Sequence, residues 1–330
     1  MSRLRVIEFI RGGDGVWALP RPIVDATAAR FPEVEFRSPA DRAGADRELP
    51  EADVVLGWAV QRENFPICQK LRWVHLTAAG VGTVLFPELV ASDVIVTNAR
   101  GLHAVSMAEH AFGLMLALVR KLHLARDAQR EARWIQVEQW ADPPPFRELQ
   151  GATLGLVGMG AIGSAIAQRA RAFGMKVLAV RRRPSRDPGP ADTQWGPERI
   201  GDLCGQSDFV VLCAPLTPET RGMLDADAIA RMRPDTFVIS LGRGAVIDET
   251  ALIDALRQGR IAGAGLDVFV EEPLPATSPL WTMPQVIVTP HVSGFGPRLW
   301  ERAMEMFARN LRAFLDGRPM ENVVDKVAGY

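Results

Sequence analysis

Residues 153–183, TLGLVGMGAIGSAIAQRARAFGMKVLAVRRR, constrain the chain more than any other stretch. They open on an apolar run of strand length, Thr153-Leu154-Gly155-Leu156-Val157, followed by Gly158-Met159-Gly160-Ala161-Ile162-Gly163. Small and apolar residues then recur at helical spacing over 161–173, and Lys176-Val177-Leu178-Ala179-Val180 reads as a second strand. Strand, G-x-G-x-x-G, helix, strand is the order that a βαβ dinucleotide site requires. Gly158 permits the tight turn, Gly160 lets the backbone approach a pyrophosphate, and Gly163 lets the helix pack close to the strand. The helix N-terminus offers free N–H groups and the favourable end of its dipole to the phosphates. A glycine turn that only connects two elements would need neither flank.

The second strand runs into Arg181-Arg182-Arg183. In the common NAD pattern an acid stands there, about 20 residues after the glycines, on the ribose 2′-hydroxyl. Three guanidinium groups instead suit a 2′-phosphate, which needs charge-assisted donors and is repelled by a carboxylate. This predicts NADP(H) as the preferred cofactor, with NAD(H) possible, and Arg186 lies close enough in sequence to contribute.

At 330 residues the chain is long for one core and comfortable for two domains. A net charge of −1 gives no global attraction to nucleic acid or to an acidic membrane. The N-terminal apolar run is broken by Glu8 and Arg11, too soon for a signal peptide, and the uncharged stretch 111–119 is far short of a membrane span. Cys68, Cys204 and Cys213 are odd in number and lack metal-ligand spacing. They read as buried free thiols in a reducing compartment, hence a cytoplasmic protein with no metal.

Before the glycine fingerprint, apolar runs at 5–10, 34–37, 53–58, 73–77 and 94–97 read as short strands, with a helix over 22–31. These suggest a small open α/β domain without a phosphate loop of its own. Residues 106–134 carry one long helical pattern, stopped by Ala141-Asp142-Pro143-Pro144-Pro145-Phe146. After the fingerprint come strands at 208–213, 236–240, 262–268 and 286–289, a helix over 249–258, and a final amphipathic helix over 297–315. The polar residues of interest cluster just after strand C-termini, where open parallel sheets bind ligands. Arg243 and His291 stand out on that ground.

An arginine fork suits a substrate carboxylate. A carboxylate beside a histidine favours the imidazolium and holds its orientation. Arg243, Glu272 and His291 are together the parts needed to reduce a 2-keto acid. Taken singly, each is as well explained as a surface charge or a packed side chain.

The order of the local motifs changes that balance. The glycine loop, Pro215-Leu216-Thr217-Pro218-Glu219-Thr220, Gly242-Arg243-Gly244 with Asp248-Glu249, Leu266-Asp267-Val268-Phe269 with Glu271-Glu272-Pro273-Leu274, and Thr289-Pro290-His291 follow one another. Together they resemble the D-isomer-specific 2-hydroxyacid dehydrogenase family, over roughly residues 71–326. The resemblance implies α/β architecture with two doubly wound parallel-sheet domains. A Rossmann dinucleotide-binding domain, residues 102–296, would be inserted into a flavodoxin-like substrate domain, residues 1–101 and 297–330. It implies that Arg243 grips the substrate carboxylate and carbonyl, that His291 is the catalytic histidine, and that Glu272 is its acid partner. It implies a backbone cradle for the substrate carboxylate at Ala79, Gly80 and Val81. Asp267 would meet the nicotinamide side of the cofactor. Ala214, Pro215, Thr220, Leu241, Gly242 and Gly294 would join the glycine loop as cofactor contacts.

Two departures stand out. The family often reads N-x-A-R-G, where this chain has Ser240-Leu241-Gly242-Arg243-Gly244, and the acid after the second strand is absent. The arginine run and Ser278-Pro279-Leu280-Trp281, with no appended regulatory domain, resemble glyoxylate/hydroxypyruvate reductase-like members. The expectation is a homodimeric, NADP(H)-dependent reductase of a small 2-keto acid, with residues 133–147 and the 106–134 helix as interface. Its alternatives are an NAD-dependent enzyme oxidising phosphoglycerate or lactate, and a nucleotide-sensing protein without turnover, which would not need the arginine, glutamate and histidine together.

Overall fold

The structure is a computed structural model describing residues 3–11, 18–82, 84–327 and 329. The chain runs β1 (Leu4–Phe9), α1 (Arg21–Ala28), β2 (Val34–Arg37), α2 (Arg42–Glu48), β3 (Val54–Gly57), β4 (Trp73–Leu76), α3 (Pro87–Ala91) and β5 (Ile95–Asn98). Three helices follow, α4 (Ala104–Val119), α5 (Leu122–Arg130) and α6 (Gln136–Ala141). Next come β6 (Thr153–Val157), α7 (Ala161–Ala172), β7 (Lys176–Val180), β8 (Thr193–Trp195), α8 (Ile200–Gln206) and β9 (Phe209–Leu212). The rest is α9 (Ala226–Ala230), β10 (Phe237–Ser240), α10 (Glu249–Arg257), β11 (Gly263–Leu266), β12 (Val286–Val288) and α11 (Leu299–Leu315). The chain divides into two compact units, residues 1–102 with 296–330, and residues 103–295.

The first unit holds a parallel five-stranded sheet of order β2-β1-β3-β4-β5, the flavodoxin-like order. Alternation along each strand sends neighbouring side chains into different cores. Val6, Val54 and Trp73 join Phe307 and Leu311 of α11 on one side, while Ile7, Val55 and Val74 pack with Leu49 and Leu89 on the other. Full burial of a side chain such as Phe307 contributes on the order of 2–3 kcal/mol.

The second unit holds a parallel seven-stranded sheet, β12-β11-β10-β9-β6-β7-β8. It begins at its centre with the fingerprint strand and grows outward both ways, as a dinucleotide-binding sheet does. Phe209, Val211 and Ile239 face the α4 and α7 side, and Val210, Leu212 and Val238 face the side of α8, α9 and α10. The small residues of β11 have a packing cause. A Cβ on Gly265 would lie 3.0 Å from the Cβ of Leu114, so α4 rests almost on the strand backbone. Both sheets are parallel and covered by helices, in agreement with the expected α/β class.

One expectation is corrected. Residues 106–134 are not one helix, because the chain turns at Lys121 (φ 53°) between α4 and α5. Lys121 is 3% exposed, and its Nζ donates to the carbonyls of Gln139 and Asp142, both at 2.6 Å. Helical periodicity continues through this point in the sequence, but the ammonium's bonds to a distant segment set the break. The three-residue edge strand β8 and the short helices α2, α3, α8 and α9 also lack a periodic signal long enough to read.

His75 shows how fully the first core excludes water. It is 0% exposed on β4, with Nδ1 2.7 Å from Thr97 Oγ1, which also accepts from Trp73 Nε1. Burial pulls its pKa from 6.5 to about 3. The unfolded chain takes up this proton near pH 6.5 and the folded chain only near 3, so stability from this group is complete above 6.5 and falls as pH drops towards 3. His75→Phe is therefore expected to weaken the loss of stability on acidification, by up to about 1.4 kcal/mol per pH unit. Urea midpoints at pH 7.5 and 4.5 measure this, and equal losses in wild type and variant would refute it.

Candidate active site

The glycine loop follows β6, and two of its glycines are required by the protein itself. Gly158 has φ 102°, and a Cβ there would meet the Ala214 nitrogen at 2.9 Å. A Cβ on Gly163 would lie 2.2 Å from the Gly158 carbonyl oxygen, so α7 packs directly on the turn. Gly160 differs, since a Cβ there would have no protein atom within 4 Å. The space beside it is a cradle that a side chain would fill, which fits close approach of a pyrophosphate. Ala161, Ile162 and Gly163 form the first turn of α7, whose N–H groups have no intrahelical acceptor. Met159 is buried beneath. Cys213 Sγ donates to the Gly158 carbonyl at 3.1 Å. Burial pushes its thiol up to about 12, like that of Cys204, and Cys68 up to about 11, so none is a ready nucleophile.

Arg181, Arg182 and Arg183 lie just past β7, Arg181 half-buried with its N–H on the Trp195 carbonyl and the other two exposed. Beyond β9, Ala214 is buried, and the 215–220 turn closes on itself through Thr220 Oγ1, which donates to the Pro215 carbonyl at 2.7 Å. Glu219 in this turn is held below the usual carboxylate range, first by the Thr217 hydroxyl and lastly by the charge of Arg182. The turn and the arginine run therefore lie near each other.

Arg243 follows β10 between two glycines that cannot carry side chains. A Cβ on Gly242 would lie 2.6 Å from the Ala214 carbonyl oxygen, and one on Gly244 would lie 1.9 Å from the Phe269 carbonyl carbon. Leu241 is buried beneath, so the guanidinium is pushed outward, exposed, with Nη1 on its own Gly242 carbonyl at 2.8 Å. Ser240, where the family often has Asn, has a buried Oγ without a partner.

Glu272 and His291 meet. His291 Nδ1 lies 2.7 Å from Glu272 Oε2, and Glu272 Oε1 accepts from the Phe269 N–H at 2.9 Å. Glu272, rather than the neighbouring Glu271, makes this contact. An ionised carboxylate only accepts, so Nδ1 carries the proton and Nε2 is the outward atom. Arg243 shares no hydrogen bond with either residue.

His291 has φ 54°, a conformation that costs energy outside glycine. Asp267 holds it there. The carboxylate is 0% exposed, with Oδ1 accepting from Thr289 Oγ1 at 2.6 Å and the Val292 N–H at 2.9 Å, and Oδ2 from the Ser293 N–H at 2.9 Å. Its backbone carbonyl accepts from the His291 N–H at 3.0 Å. The resemblance points Asp267 at the nicotinamide, whereas both oxygens here are engaged with the turn that bears His291. His110 Nε2 lies 3.0 Å from Thr289 Oγ1 and extends the support to α4.

The Gly294 carbonyl accepts from His103 Nδ1 at 3.0 Å and from Ser106 Oγ at 3.1 Å. His103 was not among the residues read from the sequence. Nothing in its local pattern marks it, and only the fold seats it on the His291 turn. In the first unit, Ala79 and Gly80 are exposed and Val81 is buried, and the Ala79 carbonyl accepts from Asn98 Nδ2 at 2.8 Å. Trp134, Val137 and Trp140 stand 87%, 75% and 79% exposed. Among the described residues no helix is long and apolar enough to cross a membrane.

A doubly wound parallel sheet with a glycine turn at a helix N-terminus is the architecture of a dinucleotide-binding protein. Comparison with known proteins makes the class specific. Residues 112–293 match the model of the D-isomer specific 2-hydroxyacid dehydrogenase NAD-binding domain. A glyoxylate reductase of Thermococcus litoralis is 37% identical over 284 residues, 85% of this chain and 85% of that one. A D-3-phosphoglycerate dehydrogenase of Methanocaldococcus jannaschii is 33% identical over 301 residues, 89% of this chain, which spans only 55% of that longer relative. The solved structure of an NADPH-dependent glyoxylate/hydroxypyruvate reductase from Sinorhizobium meliloti, in complex with NADP and sulfate, superposes with a TM-score of 0.81 at 30% identity, covering 99% of this chain and all of that one. The chain belongs to the D-isomer specific 2-hydroxyacid dehydrogenase family.

Gly160 supplies a direct test of the cradle. Gly160→Ala is expected to keep the melting temperature of the protein alone, because its Cβ meets no protein atom. It should also lose most of the stabilisation given by saturating NADPH, which for wild type at 100 times Kd is about 2.7 kcal/mol. Thermal melts with and without NADPH decide, and an undiminished shift in the variant would sink the reading.

Proposed function

We propose that this chain reduces a small 2-keto acid of the glyoxylate or hydroxypyruvate type to the D-2-hydroxy acid, with NADP(H) preferred over NAD(H). The observation that carries the proposal is the 2.7 Å contact between His291 Nδ1 and Glu272 Oε2, which fixes the ring with Nε2 facing outward. A nicotinamide cofactor, when bound, supplies the hydride for the substrate carbonyl carbon. His291 then gives its Nε2 proton to the carbonyl oxygen, and Glu272 holds the ring through that loss of charge. Arg243 supplies the fork for the substrate carboxylate and polarises the carbonyl. In the first unit, backbone N–H groups at 79–81 suit a carboxylate, as the family resemblance implies. The glycine loop and α7 hold the pyrophosphate, while Arg181, Arg182 and Arg183 receive a 2′-phosphate. The NADP complex of the Sinorhizobium relative is in line with that preference.

His291→Ala is expected to lower kcat by ~10²–10⁴-fold while NADPH still binds. Wild-type turnover is measured on glyoxylate, hydroxypyruvate, pyruvate and bulkier 2-keto acids, each with NADPH and NADH. Full turnover by the variant ends the histidine assignment. A preference for NADH, with oxidation of phosphoglycerate or lactate dominating, would favour the activity named for the Methanocaldococcus relative.

Replacing Arg182 and Arg183 together by Ala is expected to raise KM for NADPH by roughly 10–100-fold, as loss of charge-assisted bonds implies, with little change for NADH. An equal rise for both cofactors would remove the 2′-phosphate role. Trp134, Val137 and Trp140 support a homodimer, since large exposed apolar groups close in sequence mark interfaces. Light scattering is expected to give twice the 36.1 kDa chain mass, and one chain mass after Trp134→Ser with Trp140→Ser. A monomeric wild type would overturn this.

A further inference from the structure

His103 is a second imidazole beside the candidate site, and its hydrogen bonding fixes its chemistry. The Gly294 oxygen is a carbonyl and only accepts, so His103 Nδ1, 3.0 Å away, must carry a proton. In a neutral ring Nε2 then bears the lone pair. Burial first, and the nearby positive charge of Arg243 last, disfavour a second proton, outweighing the opposing effect of the Gly294 carbonyl. The ring is therefore a fixed acceptor at Nε2 under ordinary conditions. That atom has no partner among the described residues. It is also not sealed in the interior, since the buried partnerless side-chain atoms are Ser38 Oγ, His75 Nε2 and Ser240 Oγ.

The placement is built rather than incidental. A Cβ on Gly294 would stand 3.1 Å from His103 Nδ1, so the glycine leaves just enough room for the ring. Ser106 Oγ donates to the same carbonyl at 3.1 Å. Gly294 lies three positions after His291 in the turn that Asp267 holds, and Arg243 is within electrostatic reach. A neutral acceptor beside a carboxylate-binding arginine has little to offer the carboxylate itself. It suits a hydrogen-bond donor elsewhere on the same small molecule.

We propose that His103 Nε2 accepts a hydrogen bond from a hydroxyl on the carbon next to the keto group, so that the enzyme favours 3-hydroxy-2-keto acids over 2-keto acids lacking that donor. The inference rests on the 2-keto acid reductase reading above. Glyoxylate and pyruvate have no such hydroxyl and would leave Nε2 to water, while hydroxypyruvate would fill it.

Three variants separate this role from a structural one. His103→Asn places an amide where Nδ1 bonds Gly294 but leaves nothing at the Nε2 position. His103→Leu removes both, and His103→Gln can present an oxygen near Nε2. With NADPH saturating, kcat/KM is measured on hydroxypyruvate and on glyoxylate, together with NADPH affinity. The hydroxypyruvate-to-glyoxylate ratio is expected to fall about tenfold in the Asn and Leu variants, as one neutral hydrogen bond implies, and to recover in part in the Gln variant. Equal losses on both substrates, an unchanged ratio, or a change confined to NADPH affinity would each overturn the proposal. Wild type without turnover on any 2-keto acid would instead bring down the reductase reading beneath it.

Discussion

The end of β9 is pinched between two glycines, and the rest of the candidate site depends on that pinch. Gly158 after β6 and Gly242 after β10 flank Ala214, approaching its nitrogen and its carbonyl oxygen too closely for any side chain. One step further, Gly244 lies against the Phe269 backbone after β11. The loops after four adjacent strands, β6, β9, β10 and β11, thus stack backbone on backbone. Protein interiors yield little at such contacts, so a shift in one loop would be passed to the others. The glycine loop and Arg243 are set in register by this contact series, and no hydrogen bond between them is needed.

The turn bearing His291 is held by a different device. A non-glycine residue at positive φ costs on the order of 1–3 kcal/mol, and persists only where the surroundings over-determine it. Asp267 provides that constraint through two backbone N–H groups, one hydroxyl and its own carbonyl. A buried carboxylate with this many donors is well satisfied, and its donors all come from the turn it fixes. Glu272 then needs only one further bond, to the Phe269 N–H, to stand opposite His291 Nδ1. Phe269 is the same residue whose backbone meets Gly244, so the pair and the arginine loop share one anchor.

Much of this was legible in the residues. Gly158 and Gly163 were readable because steric demands on a backbone leave a mark that only glycine can answer, and Gly160 because it completes the fingerprint between them. Arg243 and His291 could be placed after strand C-termini from the sequence, and the structure brings His291 together with Glu272. The break at Lys121 was not, because α4 and α5 share one periodicity and the ammonium's acceptors lie some twenty positions away, at Gln139 and Asp142. The bonding of Asp267 to the turn bearing His291 was not legible either. A motif identifies the residue, but its rotamer depends on which N–H groups the following turn presents. His103 carried no local signal, since its partner, Gly294, is 191 positions distant.

Three histidines show how one side chain is given three chemistries by what faces its Nδ1. His75 lies between sheet and α11 with one hydroxyl for company, and desolvation leaves it neutral down to about pH 3. It behaves as a core aromatic ring. His103 faces a backbone carbonyl, a neutral acceptor that fixes the tautomer but cannot repay the desolvation of a charged ring beside Arg243. It is thereby restricted to accepting at Nε2. His291 faces the Glu272 carboxylate, 2.7 Å from its Nδ1. Of the three, only this ring has an ionisable partner at Nδ1. The difference lies in the partner at Nδ1, hydroxyl, carbonyl or carboxylate, and that partner is chosen by the turn on which each ring is seated.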